Sequence, residues 1–306
     1  MEFMKIAVFW GGRHTLPGAC DENTWYSFYN SGWKYGFESL GHSVHYFSWD
    51  DHEDRSGYDL YIYAPGFLTN LTYHPKIYHP NVFFTEEASC AVSWAASHSY
   101  YYDAVTFLDY INWKAVKHIG VNNAYWVPGA VDPTVFKNLN QERIYNTAFL
   151  GSYDDNVKII NGKTRLDFIR AIDAHNKPSM VARGYYAFEA NKIWNVTKIG
   201  VDVPIVEFCS FRLFQIIASG AFCITRKTRL DSGISQLLEP DMYDTYNDID
   251  DLVFNVAPYW IVKDQKREKL CKTAQEFVLQ NHTFKNRAEQ ILKIAGLMEG
   301  KIPYQG

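Results

Sequence analysis

Glu207 and Gln215, separated by seven residues, mark the part of this chain whose residue types and spacing are best suited to chemistry. They flank the start of an apolar helical run, FRLFQIIA, which passes through the small-residue turn Ala218-Ser219-Gly220-Ala221 into a buried strand, FCIT. A helix N-terminus carries free N–H groups and a partial positive charge, which suit a pyrophosphate. A carboxylate one or two turns along can accept from two neighbouring hydroxyls at once. Position 215 holds an amide instead, with one carbonyl acceptor and one NH2 donor. Arg212 lies between the two and either touches phosphate or pairs with Glu207.

Further candidates sit where strands run into turns. TAFLGS (147–152) ends in Gly151-Ser152, and Lys163 and Arg165 follow where a loop feeds the next helix. As positioned cations they stabilise charge on a leaving group; as solvated charges they merely decorate a turn. Near the start, Met4 to Trp10 is an apolar run followed by Gly11, Gly12, Arg13 and His14. That is the C-terminal end of a first strand, where open α/β sheets bind ligands. His14 is a general base, an acceptor contact or a loop histidine with no task; its ordinary pKa suits proton transfer near neutrality. Glu86 and Glu87 follow the strand VFFT as base, ligand contact or solvated loop edge. His98, His118 and His282 lack metal-ligand spacing, and Asp50-Asp51 and Asp154-Asp155 are bare pairs in loops, so no metal is expected.

Strands alternating with helical segments must position these groups. After the first strand comes an amphipathic helix, about Thr24 to Leu40, stopped by Gly41. Short strands follow at 44–49, 58–64, 82–85 and 104–108, and the Pro- and Gly-rich segment AYWVPGAVDPTVF (124–136) ends this series. The second series has strands at 147–152, 179–183 and 222–225. Its helices are read at 164–175, 188–195, 212–219, 248–257, 264–280 and 283–298. Such alternation implies parallel sheets covered by helices, hence two Rossmann-like domains.

Composition sets the outer limits. A chain of 306 residues has room for two domains of about 150 residues. A net charge of −4 argues against a strong nonspecific hold on nucleic acid. Five scattered cysteines without CxxC spacing fit a reducing cytosol. No apolar stretch approaches the length of a membrane span. Aromatic residues make up 17% and crowd the first 130 positions, as core or as a surface for stacking sugars.

Taken in order, the pieces resemble the CgeB-type (spore maturation protein) glycosyltransferases, relatives of the large retaining nucleotide-sugar family with the GT-B fold. The resemblance rests on LGHSVHYF (40–47), YDLYIYAPG (58–66), YDAVTFLD (102–109) and VPGAVDPTVF (127–136). In the second half it rests on AFLGSY…TRLDFI (148–169), FRLFQIIASGAFCIT (211–225), LLEPDMYDTYNDIDDL (237–252) and NHTFKNRAEQIL (281–292). It covers essentially the whole chain and is stronger after residue 120. It implies an acceptor domain over 1–137, a nucleotide-sugar domain over 138–282, and a closing helix at 283–306 that packs back on the first domain. The active site would lie in a cleft between the domains.

The resemblance also implies roles. Glu207 would support the transferring sugar, with His14 as the other catalytic candidate. Gly151, Ser152, Lys163, Arg165, Arg212 and Gln215 would hold the donor, a UDP-sugar, with Gln215 at the ribose in place of the family's Glu. Gly11, Gly12, Arg13 and Glu87 would face the acceptor: a glycan, a protein, a small molecule or a hydroxymethylated base in DNA. The enzyme would be cytoplasmic, metal-free and retaining. The departure at Gln215 leaves open a non-catalytic relative that only binds sugar or nucleotide.

Overall fold

The computed structural model describes residues 2–10, 25–49, 53–64, 77–85, 91–153, 157–185, 187–205 and 209–305. In chain order the elements are β1 (Lys5–Trp10), α1 (Trp25–Glu38), β2 (Ser43–Ser48), β3 (Leu60–Ala64), β4 (Asn81–Thr85), α2 (Ala91–His98), β5 (Ala104–Phe107), α3 (Tyr110–His118) and β6 (Ala124–Trp126). There follow β7 (Tyr145–Leu150), β8 (Lys158–Ile160), β9 (Lys163–Thr164), α4 (Arg165–His175), β10 (Ser179–Ala182), α5 (Ala187–Asn195), β11 (Thr197–Asp202), α6 (Phe211–Ala218), β12 (Phe222–Arg226) and β13 (Tyr243–Tyr246). A π-helical turn at Asp251–Val256 then leads into α7 (Ala257–Val262), α8 (Asp264–Asn281) and α9 (Phe284–Ile294).

The chain divides into two compact units, residues 1–129 with 284–306, and residues 130–283. The boundary falls at Gly129–Ala130 rather than at 137–138. The cause is local: Val131 N–H donates to His282 O at 2.9 Å, and Lys137 N–H donates to Asn191 Oδ1 at 3.2 Å. These bonds draw the stretch after Gly129 into the second unit.

Unit 1 is a six-stranded parallel sheet in the order β2-β1-β3-β4-β5-β6. Every residue of β3 and β4 is buried, as is all of β1 after Lys5, which is why these strands read as unbroken apolar runs rather than alternating ones. The closing helix α9 belongs here. Gly32 and Gly36 on α1 leave the surface low enough for Phe284 to seat against it, and Trp33 meets the same ring edge-on at 5.5 Å. A Cβ on Gly36 would lie 2.5 Å from the Phe284 carbonyl oxygen, a backbone atom with little freedom to withdraw. Gly36→Ala is therefore expected to destabilise the chain by about 1–3 kcal/mol in urea titration; unchanged stability would contradict this contact.

Arg287, buried on α9, donates from Nε to Pro128 O (2.8 Å) and from Nη2 to Gly129 O (3.0 Å). Gln290 Nε2 donates to Trp126 O at 2.8 Å. The amide of Gln305 accepts from Trp126 N–H and donates to Trp126 O, at 3.2 and 3.0 Å, so the tail pairs with the outer strand β6.

Unit 2 is a five-stranded parallel sheet in the order β10-β7-β11-β12-β13, with β8 and β9 as a separate hairpin. Its core runs from Phe149 and Phe168 through Ile199, Val201 and Ile224 to Trp260. The middle strand β11 carries Gly200 because Ile216 of α6 lies against it: a Cβ there would fall 2.5 Å from Ile216 Cγ2. Arg143 ties the N-terminal edge together, donating to Trp194 O, Thr197 O and Gly220 O.

Candidate functional site

In unit 2 the strand order reverses at β7, whose neighbours β10 and β11 are reached by connections leading in opposite directions. In open parallel sheets the crevice beyond the carboxyl ends at such a reversal is where ligands bind. Two turns meet there: Gly151-Ser152-Tyr153 after β7, and Val203-Pro204-Ile205 after β11.

Arg165 joins them. It is the first residue of α4, behind a capping box in which Thr164 and Asp167 satisfy each other's free groups. The N–H and hydroxyl of Thr164 hold the Asp167 carboxyl below the usual range. From this fixed start the buried Arg165 side chain turns inward. Its Nε and Nη2 donate to Val203 O at 3.0 and 2.7 Å, and Nη1 donates to Ser152 Oγ at 2.8 Å. Arg165 thus shapes the crevice by holding its two rims. Lys163, by contrast, is exposed on the β8–β9 hairpin, with no side-chain hydrogen bond or ion pair to another described residue.

The last residue of β11 is Asp202, only 1% exposed. A buried carboxylate persists only with partners, and Asp202 has a full set. Arg212 Nη1 donates to Oδ1 at 2.7 Å; Ser210 Oγ and Thr225 Oγ1 donate to Oδ2 at 2.9 and 3.0 Å. The backbone oxygen of Asp202 accepts from Tyr246 at 2.8 Å, and burial, followed by the carboxylate's own charge, pushes the Tyr246 hydroxyl well up. Ser210 occupies the N-cap of α6, yet its hydroxyl makes no capping bond.

Arg212 leans over the ring of Phe149, its guanidinium carbon 5.3 Å from the centroid. Its Nη2 would lie 2.7 Å from a Cβ on Gly151, so a side chain there would collide with the guanidinium. Among the described residues Nε and Nη2 have no acceptor, and the side chain is 20% exposed. A cation held by one nitrogen, with a second beside a glycine turn, can take up an anion. Gln215 follows at i+3, on the same face of α6 as Arg212. It is half-buried, and its amide makes no hydrogen bond to another described residue.

The structure therefore brings together Gly151, Ser152, Arg165 and Arg212, with Gln215 beside Arg212. Arg212, read from the sequence as a phosphate contact or a partner of Glu207, makes its ion pair among the described residues with Asp202. Glu207, Gly11, Gly12, Arg13, His14, Glu86 and Glu87 lie outside the described residues. The sequence reading missed Asp202, Ser210, Thr225 and Tyr246. It also missed Arg183, which follows β10 and stands 5.9 Å over the ring of Tyr153. Among the described residues no group of three His, Cys, Asp or Glu side chains is placed to hold a metal ion. No helix among them is long and apolar enough to cross a membrane.

Comparison with known proteins follows the same half of the chain. Residues 141–293 match the family model described as "Glycosyl transferase-like". The crystal structure of Anabaena Alr3699/HepE in complex with UDP and glucose is similar at a TM-score of 0.65 and 12% identity, over 96% of this chain and 100% of that one. Sucrose-phosphate synthase from Thermosynechococcus elongatus gives 0.64 and 11%, over 95% and 98%. An alpha-glucosyltransferase in complex with UDP-glucose and DNA containing an abasic site gives 0.66 and 11%, over 96% and 100%. A search of curated protein sequences returns no match. Two α/β units with parallel sheets and these neighbours define a GT-B fold. With the matched residues 141–293 making up half of its 306 residues, the chain belongs to the glycosyl transferase-like family.

Proposed function

We propose that this glycosyltransferase moves a sugar from a UDP-sugar to an acceptor hydroxyl with retention of configuration. We also propose that it is of the CgeB type and works in the cytoplasm. The observation that carries the reading is Arg212, whose Nε and Nη2 have no acceptor among the described residues and whose Nη2 stands beside Gly151 at the strand reversal of the family-matched half. A leaving diphosphate develops negative charge as the glycosidic bond breaks, and a fixed guanidinium beside the positive N-terminal end of α6 stabilises it without a bound metal. Gln215 then meets a ribose hydroxyl through its carbonyl, and Glu207 supports the transferring sugar. On this reading Gly11, Gly12, Arg13, His14 and Glu87 belong to the acceptor side, with His14 as base or contact. HepE carries UDP or UDP-glucose in its complexes, which supports the choice of donor.

One observation bears on the acceptor. Unit 1 holds 11 Lys and Arg against 15 Asp and Glu, while unit 2 is balanced at 19 of each, so the whole net charge of −4 lies on unit 1. An acidic acceptor domain repels a polyanion. The proposal is therefore a neutral or cationic acceptor, although one structural neighbour was captured with DNA.

A thermal-shift panel of nucleoside diphosphates and their sugars tests the donor. A ligand at a hundred times its Kd adds about 2.7 kcal/mol of stability, a rise of several degrees. If no UDP compound shifts the melting temperature, the proposal is wrong. Gly151→Ala is expected to keep the fold, because the guanidinium tip can move aside, and to raise the Kd for UDP about tenfold in calorimetry. Unchanged affinity would detach Arg212 from the donor.

A further inference from the structure

Asp202 is a costly way to hold a fold together. A buried ion pair gains little over a well-packed apolar substitute, because removing the charges from water offsets most of their attraction. Ser210 and Thr225 need only a neutral acceptor, which an asparagine would supply. The negative charge has one use among the described partners, the 2.7 Å bond to Nη1 of Arg212. That bond approaches from one side and leaves Nε and Nη2 without an acceptor among the described residues. The ring of Phe149 limits movement on one flank, and the Gly151 backbone lies next to Nη2. Two hydroxyls from different elements, Ser210 at the start of α6 and Thr225 on β12, fix the carboxylate.

We infer that Asp202 is a positioning residue for the donor's diphosphate: anchored by Ser210 and Thr225, it holds the Arg212 guanidinium in the orientation that the diphosphate requires. This rests on the donor reading above and adds to it the group that prepares the site. A free arginine loses side-chain entropy when it binds an anion, whereas one already held loses less. Asp202 therefore makes its contribution before the ligand arrives.

The sign of one substitution is diagnostic. Asp202→Asn removes a negative charge near the anion, and by Coulomb attraction alone this tightens UDP. Weaker UDP in this variant therefore requires loss of Arg212 orientation. We measure UDP and uridine binding to the full chain by calorimetry and ligand-observed NMR. The expected result is a UDP Kd raised about tenfold with the uridine Kd within twofold of wild type. Equal or tighter UDP binding, or a parallel loss of uridine, overturns the inference. Arg212→Lys keeps a cation beside Asp202 but not the fork, so it serves even if Asp202→Asn does not fold. It is expected to weaken UDP similarly and uridine not at all, and unchanged UDP affinity is again a refutation. A wild-type chain without affinity for UDP would remove the donor reading itself, an outcome visible before any variant is made.

Discussion

A chain ending at residue 283 is expected to lose the folded structure of unit 1. The missing segment supplies Phe284, Ala288, Ile291 and Leu292, each no more than 1% exposed. Burial of the three large side chains contributes about 5–9 kcal/mol at 1.5–3 kcal/mol each. The marginal stability of a whole domain is about 5–15 kcal/mol. Truncation also removes the donors of Arg287 to Pro128 O and Gly129 O, and those of Gln290 and Gln305 to Trp126 O. It uncovers the glycine face of α1 as well. Near-UV circular dichroism and urea titration of the shortened chain measure the loss. A truncated chain with the melting behaviour and transfer activity of the full one would show that α9 is dispensable. Arg287→Ala is the milder companion: the helix stays, two buried carbonyls lose a charged donor, and about 2–3 kcal/mol is lost.

Glu207→Ala is expected to lower kcat by about a hundredfold or more, as removal of a group that acts on developing charge does in comparable sites. Gln215→Glu should instead act on the donor: a carboxylate accepts from both ribose hydroxyls, which lowers Kd by several-fold, on the order of 1 kcal/mol. The two readouts separate an active transferase from a relative that only binds. In the active enzyme position 207 moves turnover and position 215 moves donor affinity. In a lapsed one, neither substitution alters a transfer rate that is already nil. Steady-state kinetics with the donor found in the thermal panel, paired with calorimetry, makes the comparison. Weaker binding of every nucleotide sugar by the Gln215→Glu variant would mean that the amide itself is the chosen ligand group, and the ribose assignment would fall.

Unit 1 was legible because β1, β3 and β4 are buried on both faces and announce themselves as apolar runs. In unit 2, β7 and β12 were legible for the same reason. The middle strand β11 was not, since Lys198 and Gly200 break its pattern; the glycine is there to admit Ile216, a contact that no local window contains. The site divides in the same way. Gly151, Arg212 and Gln215 fall within short motifs that the sequence alone singles out as candidates. Asp202 was not, because its partners are spread along the chain: Ser210 is 8 residues away, Thr225 is 23, and the Tyr246 hydroxyl that binds its backbone is 44 away. A lone acid at the end of a strand carries no periodicity and becomes visible only when the sheet assembles its neighbours. Arg165 shows the converse. Its position was legible, but its engagement with Val203 O and Ser152 Oγ depends on the strand order.

The interrupted course of unit 1 bears on how the protein is made. Its first 129 residues leave the ribosome while the α9 segment that covers α1 is still 154 residues away, with all of unit 2, residues 130–283, between them. At about 5–20 residues per second, that interval lasts roughly 8–30 s. Unit 2 is continuous and can close as soon as it emerges, so the usual N-to-C order of domain folding is reversed here. During the wait, the glycine face of α1 and its neighbour Trp33 lack their Phe284 cover. Nascent chains arrested before residue 284 should therefore be the species that chaperones bind and proteases cut within the first 129 residues.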